Sequence, residues 1–466
     1  MQIYYKLLNL LEKNNVLTSL FSHNSTQVIN LIAQIYIVSK IAPEKFGIYI
    51  FILTFFEFFT SLIGASLNQA VIQIRQVRAI SSNSVFLCLC FSLLIFIFTL
   101  IFYFFSFFEK EINNLFLIIG ISKSLSLLPG LILSLYFDRL TQFHISSNIR
   151  LISSIISSAI GIYLVNLNYD IFSLIFKELI SSLLIIIITL YLIKFKFSFM
   201  KIYKETIIKL CIFCINRSIL RSSEILFYKL PIIIIGLLYG NFLLGLFSQA
   251  IYLVTITVVF FQRIFDIALA FYSKSNDEKS ELIFTNVNNI LFSLSIIISI
   301  LLFFYSDLAI NFIYGNKWNG LDNFFKFLCF LNIFYIMIFS AETYLISLNK
   351  FKVITYFYLL STILQILLFV LFNFYNLSFL YVFYISFIIL TIFLKEINYK
   401  NFVGIFNFKN IILFLIIISI NFFIKNNLID YNLNLYFSYS LGVIFTSIIY
   451  LLFFIKDLKK YYLEIR

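Results

Sequence analysis

Ten ionisable residues interrupt stretches of this sequence that are otherwise apolar: Glu57, Lys123, Lys177, Glu178, Arg217, Arg221, Glu224, Lys229, Lys326 and Glu342. On the membrane-insertion scale each costs about 2.5 to 3.5 kcal/mol at a helix centre, so the set makes sense only facing water, a ligand or one another. Spacing groups several of them with other polar residues. Arg217, Arg221, Glu224 and Tyr228 recur at i, i+4, i+7 and i+11, one stripe of a helix with 3.6 residues per turn. His23, Gln27, Asn30 and Gln34 form a second stripe; Thr54, Glu57, Ser61 and Asn68 form a third. Ser248, Thr255 and Gln262 form a shorter fourth. The chemistry these residues offer is ionic recognition. Six bases against four acids make a net cationic lining, which suits an anionic substrate.

No pattern of catalytic type accompanies them. There is no HExxH, no Gly-rich loop to cradle a phosphate and no carboxylate pair in a loop. Five cysteines lie in or beside apolar runs without histidines at metal-ligand spacing, and Cys211-Ile-Phe-Cys214 lacks the βαβ context of a redox motif. The reading is therefore of a non-enzyme with no cofactor and no metal.

The elements that must carry these residues follow from composition. Of 466 residues 62% are hydrophobic and only 12% charged, with mean hydropathy +1.02. A soluble domain averages about 25% charged residues, and the apolar residues here come in runs of about 20, the length of a membrane span. The expected fold is an all-α polytopic membrane protein of about 14 transmembrane helices. The spans are placed at 17–39, 47–70, 85–108, 115–136, 150–167, 171–193, 217–239, 242–264, 286–306, 321–348, 353–374, 378–395, 410–425 and 435–455. The first strongly apolar run lacks a cleavage-site pattern, so no removed signal peptide is expected.

Counting Lys and Arg alternately by side tests this map, since cytoplasmic loops carry the excess. With the N-terminus inside, 23 of the 34 fall on the inner side, 5 outside and 6 within spans. Both termini are thus expected in the cytoplasm of a cell-membrane protein, and Trp318 near the outer surface. The net charge of +13 is largely topological, and nucleic-acid binding would need a folded basic domain that is not there. The Lys-rich segment from Lys194 to Lys209 reads either as a solvated inner loop or as an amphipathic helix on the anionic inner leaflet. It divides the chain into six-helix lobes at 1–200 and 201–400, leaving 401–466 as two accessory helices and a tail. The stripes predict a central hydrophilic cavity between the lobes. Pro129-Gly130 in span 4 and Pro231 with Gly236 in span 7 are the helix-breaking features at depth, marking a cavity, a hinge or a packing kink.

Three short segments carry a resemblance. They are Ile41-Ala-Pro43-Glu-Lys-Phe46-Gly47-Ile-Tyr49, the run from Pro231 through Gly236, Gly240 and Gly245 to Ala250, and Phe312-Ile-Tyr314-Gly315-Asn-Lys-Trp318. In order and spacing they resemble the polysaccharide-biosynthesis exporters (lipopolysaccharide, O-antigen) of the multidrug/oligosaccharidyl-lipid/polysaccharide (MOP) superfamily, over roughly residues 15 to 395. The resemblance implies an inner-membrane flippase working by alternating access on a polyprenyl-pyrophosphate-linked oligosaccharide, in contact with membrane lipid and with polysaccharide assembly proteins. On that reading Arg217, Arg221, Lys123, Lys177 and Lys326 would engage the pyrophosphate. Glu57, Glu224 and Glu342 would pair with them or take part in coupling, and His23, Gln27, Asn30 and Gln34 would line the cavity. Related sequences often carry an acidic residue before the seventh apolar run, where this chain has Tyr228-Lys229-Leu230-Pro231; the coupling-ion site is left open. The rival readings are a multidrug exporter of the same superfamily, which would want an acidic lumen, and a membrane-bound polysaccharide polymerase or ligase, which would want a long outer loop.

Overall fold

Isoleucine and phenylalanine are middling helix formers in water, yet runs rich in them fold as helices here. In hydrocarbon each backbone N–H and C=O must be satisfied within its own segment. The computed structural model describes residues 2–73, 80–105, 110–140, 142–193, 202–272, 277–348, 350–375 and 378–397. Among them are thirteen α-helices and no strand: α1 (Gln2–Lys40), α2 (Pro43–Gln73), α3 (Ile80–Phe104), α4 (Lys110–Tyr136), α5 (Phe143–Asn166), α6 (Asp170–Leu192), α7 (Lys204–Tyr239), α8 (Asn241–Tyr272), α9 (Asp277–Tyr314), α10 (Leu321–Leu328), α11 (Leu331–Ser347), α12 (Phe351–Phe374) and α13 (Leu380–Ile397). Each of the first twelve expected spans coincides with one helix, except the tenth, which is the pair α10 and α11. The two runs expected at 410–425 and 435–455 lie outside the described residues, as do residues 194–201 of the Lys-rich segment. Its remainder, from Lys204, opens α7.

Eight of these helices are long and apolar enough to cross a membrane, nine with the α10–α11 pair counted as one span. The polar stripe of α1 keeps that helix out of the count. The exposed residues Phe21, Val28, Ile32 and Tyr36 line one side of α1, and His23, Gln27, Asn30 and Gln34, all half-buried, lie roughly half a turn away.

The chain forms two compact units, Met1–Gly245 and Leu246–Arg466. In the first, α1 packs on α5, α5 on α6, α3 on α4, and α4 on both α2 and α6. Helix α7 lies along α2, so this unit holds seven helices and the first turn of an eighth. Tyr203, just before α7, donates its backbone N–H to Asn83 Oδ1 on α3 at 3.0 Å, which fixes where α7 enters. In the second unit α9 packs against α10 and α11, and α13 against α11 and α12.

Two of the family-like segments meet inside the first unit. A Cβ built on Gly47 would run into the backbone carbonyl of Asn241, and one on Gly245 into the backbone carbonyl of Pro43. The contact is reciprocal: each glycine lies four residues beyond the residue whose carbonyl the other glycine meets. Only glycine at both places lets α2 and α8 approach this closely. One residue, Gly240, joins α7 to α8 with φ +84°, a conformation that glycine adopts without strain. In the second unit Gln249, near the end of the second segment, donates to the Tyr314 hydroxyl of the third at 2.6 Å. Trp318 packs on Tyr314, with ring centroids 5.5 Å apart, and is buried.

The break in span 10 falls where the sequence shows neither proline nor glycine. Helices α10 and α11 meet at 44° across Cys329 and Phe330. Cys329 Sγ donates to the Lys326 carbonyl at 3.0 Å, and the Tyr384 hydroxyl from α13 donates to the Phe327 carbonyl. Carbonyls that a helix break frees are thus satisfied by side chains. Pro129 and Pro231, by contrast, lie inside continuous helices.

Candidate functional site

Four helices of the first unit each bring one intramembrane charge to a common chain of ion pairs. Lys229 on α7 places Nζ 2.8 Å from Glu57 Oε2 on α2. The other oxygen of Glu57 is 3.9 Å from Lys123 Nζ on α4, and Lys123 donates a hydrogen bond to Glu178 Oε1 on α6. The signs alternate along the chain, Lys229, Glu57, Lys123, Glu178, so its net charge is zero. Lys123 is the most enclosed member, its side chain 9% exposed between two carboxylates about a third exposed. An ammonium this enclosed needs such partners, because burial of an uncompensated charge is costly. Further along α2, the Asn68 amide lies against Gly130, where a Cβ would come within 2.9 Å of its Nδ2. Glycine after Pro129 therefore serves the packing of α4 on α2.

Lys177 follows the same geometry only in part. It is half-buried on α6 beside Glu178, its stem against Gly161 of α5, and among the described residues no carboxylate lies within ion-pair distance of its amine.

The α7 stripe is the second feature. Arg221 Nη1 donates to both oxygens of Glu224 at 2.6 Å; the arginine is 46% exposed and the glutamate 10%. Arg217, one turn earlier, lies over the ring of Phe213 at 5.9 Å. The exposed residues Ile208, Ile212, Ile215 and Ile219 occupy the opposite side of the helix, roughly half a turn away. One face of α7 is thus fit for lipid and the other for an ionic ligand.

In the second unit Lys326 on α10 is paired with Asp307 on α9, and buried Glu342 on α11 accepts a hydrogen bond from the Tyr358 hydroxyl of α12 at 3.0 Å. Each of these two residues thus has a local partner of its own. Asp307 and Tyr358 escape sequence reasoning: Asp307 falls at the edge of an expected span, and tyrosines are too numerous to single one out. Glu178 and Lys229 count among the intramembrane charges but receive no role from spacing. The signal available is stoichiometry, since two acids and two bases on four spans of one unit can cancel. Cys211 and Cys214 on α7 form no disulfide, and among the described residues no group of three or more His, Cys, Asp or Glu could hold a metal ion.

A profile of the family described as polysaccharide biosynthesis protein matches residues 41–323, more than half of the chain. The protein belongs to this family. A search of curated proteins finds no match. Among solved structures this family member is similar to the lipid II flippase MurJ in an inward closed conformation, with TM-score 0.66 and 16% identity over 95% of this chain and 99% of that one. It is also similar to a multidrug resistance MATE family transporter of the MOP superfamily in an inward-facing conformation, with TM-score 0.62 and 13% identity over 86% and 96%. A MOP superfamily transporter from Pyrococcus furiosus gives TM-score 0.55 and 12% identity over 88% and 96%. At these identities the likeness is one of fold, and the fold is that of the MOP transporters. The chain is accordingly an all-α, multi-pass membrane protein with the fold of the MOP transporters.

Proposed function

We propose that this protein is a flippase that moves an anionic polyprenyl-pyrophosphate-linked oligosaccharide from the cytoplasmic to the outer leaflet of a bacterial inner membrane by alternating access, with both termini cytoplasmic. One observation carries the anionic substrate. Within the spans of the first unit there are five bases and three acids, Lys123, Lys177, Arg217, Arg221 and Lys229 against Glu57, Glu178 and Glu224. Whichever pairs form among them, two positive charges are left in surplus. A pyrophosphate diester carries two negative charges, and a low-dielectric bundle favours an anion that cancels the surplus. Arg217 and Arg221 are the recognition residues, since a guanidinium matches phosphate oxygens with a planar fork; Lys177 adds a point charge and Lys326 serves from the second unit. Glu57 and Glu224 act as charge partners, and Glu342, held by the Tyr358 hydroxyl, is assigned to coupling or charge pairing. The polar face of α1 contacts the sugar. The six-helix lobes at 1–200 and 201–400, with 401–466 peripheral, are proposed as the transport halves, although α7 packs along α2 within the first compact unit.

The test is replacement of Arg221. Glutamate there would put two acids one turn apart on α7 and should abolish export of the lipid-linked glycan in a complementation assay, with the protein still inserted at normal level. Lysine should retain part of the activity, because it keeps the charge and loses only the fork. Normal export by Arg221→Glu at equal expression would refute the phosphate-binding role.

A further inference from the structure

An intramembrane carboxylate in a transporter is ordinarily a place where an exchangeable proton or metal cation can sit. Glu57 is such a carboxylate by its place in an expected span, its side chain about a third exposed, but an amine of the protein already stands beside it. Lys229 Nζ lies 2.8 Å from Oε2, a charge-assisted hydrogen bond. Lys123 lies 3.9 Å from Oε1, beyond hydrogen-bond distance, and donates to Glu178 instead. The two ammoniums therefore do unequal work at Glu57. Lys229 makes the direct contact, while Lys123 is shared and more distant. The two come from different helices, and α7, which carries Lys229, also carries the proposed recognition arginines.

We infer that Lys229 is a tethered counter-ion: its ammonium occupies the position beside Glu57 that a free monovalent cation would otherwise take, so Glu57 binds no exchangeable metal cation in the native protein, and removal of the amine converts this carboxylate into a sodium site. A lysine stem can do this because the methylenes lie along apolar helix surface while the head group reaches the carboxylate. The tethered charge differs from a bound ion in one respect. It cannot leave, so the pair contributes the same electrostatics in every state in which α2 and α7 stay together. A cycle built on this unit would then draw no driving force from sodium at Glu57.

This inference goes beyond the flippase reading and does not depend on the identity of the glycan, because its readout is cation binding by the purified full-length chain. Thermal unfolding is measured in detergent at mildly alkaline pH in sodium chloride and in choline chloride of equal ionic strength. The native protein and Glu57→Gln should melt alike in the two salts. Lys229→Met should melt about 2 °C higher in sodium, the size of shift expected when a ligand at several times its dissociation constant stabilises a chain of this length. The Glu57→Gln/Lys229→Met double variant should lose that response, and Lys229→Arg should never gain it. A sodium response in the native protein that Glu57→Gln abolishes would overturn the inference, as would a Lys229→Met protein that responds no more than the native one. If Lys229→Met cannot be recovered folded, the native and Glu57→Gln comparison still decides: equal melting in both salts supports the tethered ion, and a native-only response to sodium refutes it.

Discussion

Replacing Lys123 by methionine should expose how tightly the charge chain is coupled. The methionine keeps most of the stem volume, so the packing loss is small and the change is chiefly one of charge. What it leaves behind is unequal: Glu57 retains Lys229 at 2.8 Å, whereas Glu178 loses the ammonium bonded to it. Breaking a buried pair by removing one partner costs about 3 to 5 kcal/mol. Because the Glu178 side chain is 32% exposed, the lower end, about 3 kcal/mol, is the working value. Spread over a unit of this size, that is a fall in melting temperature of roughly 6 to 12 °C. The informative measurement is the double-mutant cycle with Glu178→Gln. Glu178→Gln alone leaves the enclosed Lys123 ammonium with only Glu57 at 3.9 Å and should cost at least about 1 kcal/mol; the double variant strands no charge and should cost no more than about 2 kcal/mol, so with about 3 kcal/mol for Lys123→Met the coupling energy is at least about 2 kcal/mol. Melting curves of the four purified proteins in one detergent supply the numbers. Additivity within about 0.5 kcal/mol would show that Lys123 and Glu178 do not act as a pair, and the alternating chain of charges would fail with them.

Other outcomes follow from packing and topology. Gly47→Ala should cut the yield of folded protein severely, since the added methyl meets backbone that cannot rotate away, whereas Gly64→Ala, which meets only a leucine methyl at 3.0 Å, should cost about 1 kcal/mol or less; fluorescence-detected size exclusion of the two variants makes the comparison. Tyr384→Phe removes the donor to the Phe327 carbonyl at the break in span 10 and should destabilise by about 1 to 2 kcal/mol, read as a lower melting temperature; an unchanged value would mean the break needs no external donor. Single cysteines at Lys317 and Lys350 should label from opposite sides of the membrane, and labelling from one side would remove the proposed orientation.

The helices are legible in the sequence because a bilayer imposes one length and one hydrogen-bonding solution on every span, and a run of about 20 apolar residues answers both. The break at Cys329 is not. Its donors are a thiol three residues past the Lys326 carbonyl that it serves and a tyrosine 57 positions from the Phe327 carbonyl, and no local composition marks such an arrangement. Proline, the usual sequence signal for a break, sits within unbroken α4 and α7 instead. The face carrying Arg217, Arg221 and Glu224 can be derived from periodicity alone, since residues on one helix share one frame. The partners of Glu57 cannot, because Lys123, Glu178 and Lys229 are set by which helices adjoin α2, and adjacency of helices is a three-dimensional fact. Lys229 shows the limit well: it lies off the α7 stripe, which makes it look peripheral in the sequence, and that same angle is what aims it at α2.

The order of the charge chain also has a bearing on how the protein is made. Glu57 is synthesised 172 residues before Lys229 (229 − 57), a delay of roughly 10 to 30 s at ordinary elongation rates. During that interval α2 must sit in or beside the membrane without its closest counter-ion. Lys123 arrives first, after 66 residues (123 − 57), and Glu178 then competes for it 55 residues later. Along the sequence the members of the chain alternate in sign, Glu57, Lys123, Glu178, Lys229. In a nascent chain paused between α4 and α6, Lys123 is the one member of the chain of ion pairs yet made that could answer Glu57, because Glu178 and Lys229 are not yet synthesised.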